Sequence, residues 1–393
     1  MFNFVADRII SGRMYPALAR HSALPFTPEW REFTQHWPRT VPLELPQYAE
    51  LWDYPTACYQ IDQAWPESSW YPIALGWFDF ELDYFAILPT QVQSLVKQGR
   101  LKILFYYHEG DNPQHINHRL SALCKQHGLD IDCWRFVSAN GLAQSLPNFA
   151  YIDAHELIYW HRNRHHGALP VSMDTRPYVF TVLNRTHKWW RATVMAQLWQ
   201  QGLLNHSQWS YNIDLALGDD RQHNPIQEYA LGLNATTDAF LATGSHQCDS
   251  LSAQAHNDHH MLCPELFQQS YCHIVIETHF DADGSQSPFI TEKTFKVLKH
   301  GQPFVIVGTP GTLARLRQLG YRTFDHVIDS SYDSILDNTQ RWLAVNRVIS
   351  TVAQNPKQIF ERCWDDIIHN QQLFVSSKYN RLENLSQQLY EKT

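Results

Sequence analysis

Twice along this chain an apolar run leads through a polar exit into an amphipathic stretch that stops at glycine, and this alternation constrains the fold more than any other feature. In the first passage Val92, Leu95 and Val96 share a helical face that stops at Gly99. Residues 101–107 then read as a buried strand, with His108, Glu109 and Gly110 at its exit. Asn112 caps a second helix carrying Ile116, Leu120, Leu123 and Cys124 to a stop at Gly128, residues 131–137 supply the next strand, and the alternation continues through 156–160. The second passage begins with a strand over 178–183, followed by a helix traced by Trp190, Val194, Leu198 and Gln201 to Gly202. It continues with strands at 273–276 and 304–307 and helices at 291–300 and 312–319. Strands alternating with helices of this length build parallel sheets covered on both faces, with ligands beyond the carboxyl ends of the strands.

A chain of 393 residues that is 44% hydrophobic buries enough apolar surface for two domains. Between His165 and Arg176 the periodicity lapses around Gly167 and Pro170. We therefore expect an N-terminal domain over 1–170, a C-terminal one over 177–360, and a tail over 361–393. In that tail Tyr379, Leu382, Leu385 and Leu389 stripe a helix suited to packing back on the first domain. Residues 1–70 are broken by prolines and predict loops, short helices and at most one obscure strand. The aromatics near Trp65, Trp70 and Tyr71 read as core packing ahead of a carbohydrate-stacking platform.

A net charge of -8 without a run of lysines or arginines gives no footprint for nucleic acid or an anionic membrane. No window reaches the roughly 20 apolar residues of a membrane span, and residues 1–20 lack the order of a secretion signal, so a soluble, cytoplasmic protein is expected. The seven cysteines are scattered without a C-x-x-C pair and read as free thiols.

The densest chemistry lies in residues 274–311. A strand ends at Glu277, a helix opens with Thr291, Glu292 and Lys293, and a strand ends at Gly308 before a Gly/Pro turn. Thr291 is a good N-cap, and the helix it opens offers backbone N–H groups and a partial positive charge to an anion such as a diphosphate. Lys293 adds a full charge, and Arg185 and Arg191 are further cations for the same group. Glu277 and Glu292 would repel phosphate and instead suit ribose or sugar hydroxyls.

Three runs carry a resemblance: Ile276-Glu277-Thr278, then Phe289 through Lys296 with Thr291-Glu292-Lys293 at its centre, then Gly301-Gln302-Pro303 leading into 304–308. Together they resemble the donor-binding signature of the fucosyltransferase-like glycosyltransferases, a family that includes bacterial and phage sugar transferases. Leu183-Asn184-Arg185 with Arg191 and Gly202 is similar to the entry of their C-terminal domain. The loop over 278–288 is longer than in the family's compact form. The resemblance implies a GT-B fold, two facing Rossmann-like domains with parallel sheets. The donor, a nucleotide-diphosphate sugar with GDP-sugars favoured, would lie on the C-terminal domain and the acceptor on the N-terminal one. No cofactor beyond that co-substrate and no catalytic metal are implied. Glu292 would meet the ribose or sugar, and Lys293 and Arg185 the diphosphate.

Inverting transfer needs a base, and Glu109 at the exit of a strand is our first choice, with His108 as its competitor. The acceptors expected are glycan, lipopolysaccharide or surface-polysaccharide hydroxyls, with nucleic acid disfavoured by charge. Three other readings stay open: a non-catalytic nucleotide- or sugar-binding protein, a transferase directed at DNA bases, and a metal-dependent transferase using Asp281 and Asp283 as a D-x-D pair. The histidine groups His161, His165 and His166 and His256, His259 and His260 lack the H-E-x-x-H order of zinc hydrolases and read as ordinary histidines.

Overall fold

Both sheets are parallel throughout, as the alternation of elements requires. The structure is a computed structural model describing residues 2–6, 56–62, 64–75, 78–107, 109–162, 170–184, 186–213, 221–248, 264–281 and 287–391. The chain divides into unit 1, Met1–Arg162 with Ser377–Thr393, and unit 2, Asn163–Ser376. The sequence predicts these divisions at 170–177 and 360/361. The second moves because Pro356–Arg362 and Trp364–Ser376, which the sequence reading left in the tail or at its border, pack on the strands and helices of unit 2.

Among the described residues, unit 1 holds six strands in the order β2-β1-β3-β4-β5-β6. These are β1 (Phe2–Ala6), β2 (Thr56–Gln60), β3 (Trp70–Leu75), β4 (Lys102–Tyr107), β5 (Trp134–Ser138) and β6 (Phe149–Tyr151). Helices α1 (Thr90–Lys97), α2 (Pro113–His127) and α3 (Ala154–Arg162) connect or follow them. Asn112 accepts from the Gln114 amide at the start of α2, and Gly128 ends it in the left-handed conformation, as the sequence predicts. Residues 131–133, expected in a strand, form a 3-10 turn instead, because the Asp130 carboxylate accepts from the Asp132 amide and winds the chain before β5. Phe105, Phe136, Phe149 and Trp134 interlock as tilted and edge-to-face pairs at the centre of the core. Full burial of side chains of this size stabilises the fold by about 1.5–3 kcal/mol each. Trp70 and Tyr71 are buried in β3, in keeping with a packing role.

The C-terminal helix (Lys378–Glu391) completes unit 1. Its stripe of Leu382, Leu385 and Leu389 is buried, and Ser377 and Arg381 bond the buried Glu156 carboxylate at 3.0 and 2.9 Å. Gln388 accepts from the main-chain amide of Tyr151 at 2.9 Å and donates to its carbonyl at 3.0 Å. One side-chain amide thereby satisfies the free edge of β6 as a neighbouring strand would.

Unit 2 holds the order β10-β9-β7-β8, from β7 (Tyr178–Asn184), β8 (Ser207–Tyr211), β9 (Ser270–Ile276) and β10 (Phe304–Val307). Its helices are α4 (Trp189–Gln200), α5 (Asn234–Leu241), α6 (Pro264–Gln269), α7 (Glu292–His300), α8 (Thr312–Gln318), α9 (Asn338–Gln354), α10 (Pro356–Arg362) and α11 (Trp364–Ser376). Gly301 closes α7 at φ +70, where an added Cβ would collide with Val171 and Gln371, so the site demands glycine twice over. The described cysteines are free thiols, and all but Cys248 are buried.

The two sheets wind alike. In each, the first strand is flanked on one side by the second and on the other by the third, so the winding reverses beside β1 in unit 1 and between β7 and β9 in unit 2. In open α/β sheets that reversal opens the crevice in which ligands bind.

Candidate functional site

The chain leaves β9 at Glu277, whose side chain is buried under the start of α7. One carboxylate oxygen accepts from the Thr291 amide (3.1 Å) and the Thr294 hydroxyl (2.5 Å). The other accepts from the Thr291 hydroxyl (2.6 Å) and the Thr278 amide (3.1 Å). Four donors fill what an ionised carboxylate offers. Glu277 is thus committed to its own chain, and the expectation that it receives sugar hydroxyls gives way to a structural role: it ties the end of β9 to the first turn of α7.

Thr291 is the N-cap the sequence predicts, its hydroxyl accepting from the Lys293 amide at 3.5 Å. The Lys293 ammonium rests on the Thr278 hydroxyl (3.1 Å), the Thr291 hydroxyl (3.2 Å) and the Glu292 carboxylate (3.0 Å). Its side chain is 27% exposed whereas that of Glu292 is 4% exposed. The charge that reaches solvent at the mouth of α7 is therefore the lysine's.

From the exit of β7, two more cations cross to the same place. Arg191 donates to the Glu277 carbonyl at 2.7 Å and to the Thr186 carbonyl at 3.3 Å, and Lys188 donates to the Thr278 carbonyl at 3.0 Å. Arg191 is 3% exposed, so the cation expected to face a diphosphate is instead a buried tie between two strand ends. Arg185 lies outside the described residues.

Gly308, at the end of β10, is equally close-set. An added methyl would stand 3.4 Å from Glu277 Cβ, Ile306 Cγ2 and Thr312 Oγ1, and the Gly308 carbonyl accepts from Arg341 Nε at 3.2 Å. Arg341 also donates to the carbonyls of Ile335 (2.8 Å) and Phe280, and to the Asn338 side chain (2.7 Å). Its guanidinium covers the Phe280 ring, which stacks on Trp190. Burial lowers its pKa to about 10, which leaves it charged at neutral pH. Asp281 accepts from Asn338 Nδ2 at 2.6 Å, and Asp283 lies outside the described residues. Among the described residues no group of three His, Cys, Asp or Glu side chains is placed to hold a metal ion. The side chains of both histidine groups lie outside them too.

The next helix starts differently. The Asp333 carboxylate accepts from the first-turn amides of α8, Leu313 and Ala314, at 2.9 Å each, and its carbonyl accepts from Gly311 at 2.8 Å. Burial raises the pKa of Asp333, partly offset by these amides and by Arg317 and Arg341.

In unit 1, Glu109 is half-buried in the turn after β4, and His108 lies outside the described residues. Two positions on, the sequence reading passed over Asp111. The Tyr107 hydroxyl donates to its carboxylate, and Asn140 fixes the turn between them by donating to the Gly110 carbonyl at 2.9 Å. Burial, reinforced by the charge of Glu109, raises the pKa of Asp111 against the pull of the Tyr107 bond.

Lys188, Arg341, Asp333 and Asp111 all escaped the sequence reading. Only Lys188 carried a local signal, since it directly precedes a helix at a strand exit.

No model of a known protein family matches the chain, and no curated protein does. Among solved structures it is similar to a DNA-modifying β-glucosyltransferase determined in the presence and absence of uridine diphosphoglucose. Identity is 9% and the TM-score 0.37 over 98% of each chain. A likeness of that size carries no argument about fold or chemistry.

Proposed function

We propose that this protein is a glycosyltransferase of GT-B type that moves a sugar from a nucleotide-diphosphate donor to an acceptor hydroxyl, with inversion and without a catalytic metal. The observation that carries the reading is the Lys293 ammonium. It is seated on Thr278, Thr291 and Glu292 at the mouth of α7, beside the point where the winding of the sheet reverses. A diphosphate needs a helix N-terminus and a cation that can exchange an internal carboxylate for phosphate. Lys293 offers both, and Lys188 stands by the same strand end. As the nucleotide leaves, these positive groups stabilise the charge that builds on its diphosphate. The resemblance of the Thr291-Glu292-Lys293 region to fucosyltransferase-like enzymes favours a GDP-sugar.

The acceptor proton is assigned to the carboxylates of unit 1. Glu109 is the base expected from the sequence, and Asp111 joins it as a carboxyl oriented by Tyr107. With Asp111 acting as base, its raised pKa gives kcat/KM an acid limb that rises with pH through a value above the ordinary 3.8. Asp111→Asn should remove turnover while keeping donor affinity, and unchanged turnover would return the role to Glu109.

The test is a thermal-shift and mass-spectrometric screen of GDP-, UDP-, dTDP- and CMP-sugars, repeated in chelator, with glycan, lipopolysaccharide and duplex DNA as acceptors. A shift with one nucleotide class and transfer to one acceptor are the expected outcome. Nucleotide binding without transfer or donor hydrolysis would make the protein a binding module, and no binding at all would overturn the reading.

A further inference from the structure

β7 ends at Asn184, on one of the two strands between which the winding of unit 2 reverses. The side chain is 2% exposed, and among the described residues neither its carbonyl oxygen nor its amide nitrogen has a hydrogen-bond partner. Flipping the amide changes nothing, because both positions are unpaired. Buried side-chain amides are almost always satisfied, and one left with both halves unpaired costs stability that an apolar residue of the same size would recover.

Its neighbours define the surroundings. Thr181 bonds Leu266 of α6 and Ser270, which places α6 and its packing partner α7 on one face of the sheet. Side chains alternate along a strand, so Asn184 faces the other side, where the right-handed crossover from β7 to β8 lays α4. The pairing Thr181↔His273 carried three residues on sets Asn184 beside Ile276, next to Glu277. Arg191 of α4 crosses to the Glu277 carbonyl there. Asn184 therefore sits one residue from the edge at which the Lys293 and Lys188 charges gather.

We infer that Asn184 is a binding residue for the transferred sugar, reading two neighbouring hydroxyls of the donor; this rests on the transferase reading above. A primary amide offers one acceptor and a donor side by side. Phosphate, which only accepts, would leave the carbonyl unpaired. A vicinal diol satisfies both halves, one hydroxyl donating to the carbonyl and the next accepting from the nitrogen. A site built to bond hydroxyls rejects ligands that lack them far more strongly than an apolar pocket does.

The experiment compares wild type with Asn184→Leu, which matches the volume, and Asn184→Asp, which keeps the shape and the acceptor but loses the donor and serves if the leucine variant fails to fold. Calorimetric affinities are measured for a nucleoside diphosphate and for the same nucleotide carrying its sugar, with melting temperatures alongside. The expected result is that Asn184→Leu melts at or above wild type and binds the bare diphosphate within about threefold. It should bind the sugar nucleotide about tenfold or more weakly. Equal loss of both affinities would place the amide on the base or phosphates, and unchanged affinities would make it a structural group; either overturns the inference. Failure of wild type to bind any nucleoside diphosphate would instead sink the transferase reading itself.

Discussion

The starts of α7 and α8 lie at the same edge of one sheet, the first capped by Thr291 and the second by Gly311 ahead of Thr312, yet they are finished in opposite ways. At α8 the positive end is consumed internally, because Asp333 takes the first-turn amides of Leu313 and Ala314. At α7 the internal carboxylate, Glu277, takes the amide of the N-cap and two hydroxyls, and a partly exposed lysine stands over the turn. The helix dipole is thus met by a carboxylate of the chain in one place, whereas in the other the first turn keeps a partly exposed lysine, the position that the proposed function gives to the diphosphate. A helix N-terminus alone says nothing about ligands. What distinguishes the two is which groups of the chain already bind the first-turn amides.

Substitutions separate the two ends. The largest effect is expected for Glu277→Gln, where an amide faces four donors with half the acceptors. Urea unfolding should show a loss of about 3–4 kcal/mol, and a loss below about 1 kcal/mol would show that the four bonds are not coupled. Lys293→Met should leave stability nearly unchanged while weakening nucleoside-diphosphate binding about 100-fold, roughly 2.7 kcal/mol by calorimetry. Full affinity in that variant would erase the contrast with α8. Asp333→Asn should cost about 1 kcal/mol of stability and leave nucleotide affinity within about twofold. The smallest effect is a pH dependence. Burial raises the folded pKa of Asp333 above 3.8, so the folded state holds the proton more tightly than the unfolded one. Its contribution is full below 3.8 and declines as pH rises through the folded value. The difference in stability between wild type and Asp333→Asn should follow that sign, and the opposite slope would contradict the burial.

Local signals gave what was legible. Thr291 capping α7, Asn112 capping α2, the stops at Gly128 and Gly202, and β10 over Phe304–Val307 are each written within a few residues of where they act. β1 and β2 were nearly invisible because each is short and its pairing partner lies some fifty residues away, with prolines between. β8 and the helices α9, α10 and α11 over 338–376 were missed because their apolar residues face several neighbours and no single stripe emerges. The candidate site divided along the same line. That Glu277, Thr291, Lys293 and Gly308 share one edge follows from strand and helix boundaries, whereas the commitment of Glu277 and Arg191 to their own chain depends on contacts 14 and 86 residues apart. No local pattern announces that Asp333 seals a helix beginning 21 residues before it, or that Asn184 has no partner among the described residues.

Gln388 closing the edge of β6 has a consequence for the order in which the molecule is made. The amide and carbonyl of Tyr151 wait for a side chain 237 residues downstream, and Glu156 waits for Ser377 and Arg381. During synthesis the whole of residues 163–376 emerges before those partners exist. Unit 2 is therefore translated in full while Tyr151 and Glu156 of unit 1 still lack these partners, so the last contacts of unit 1 form after unit 2 has been made.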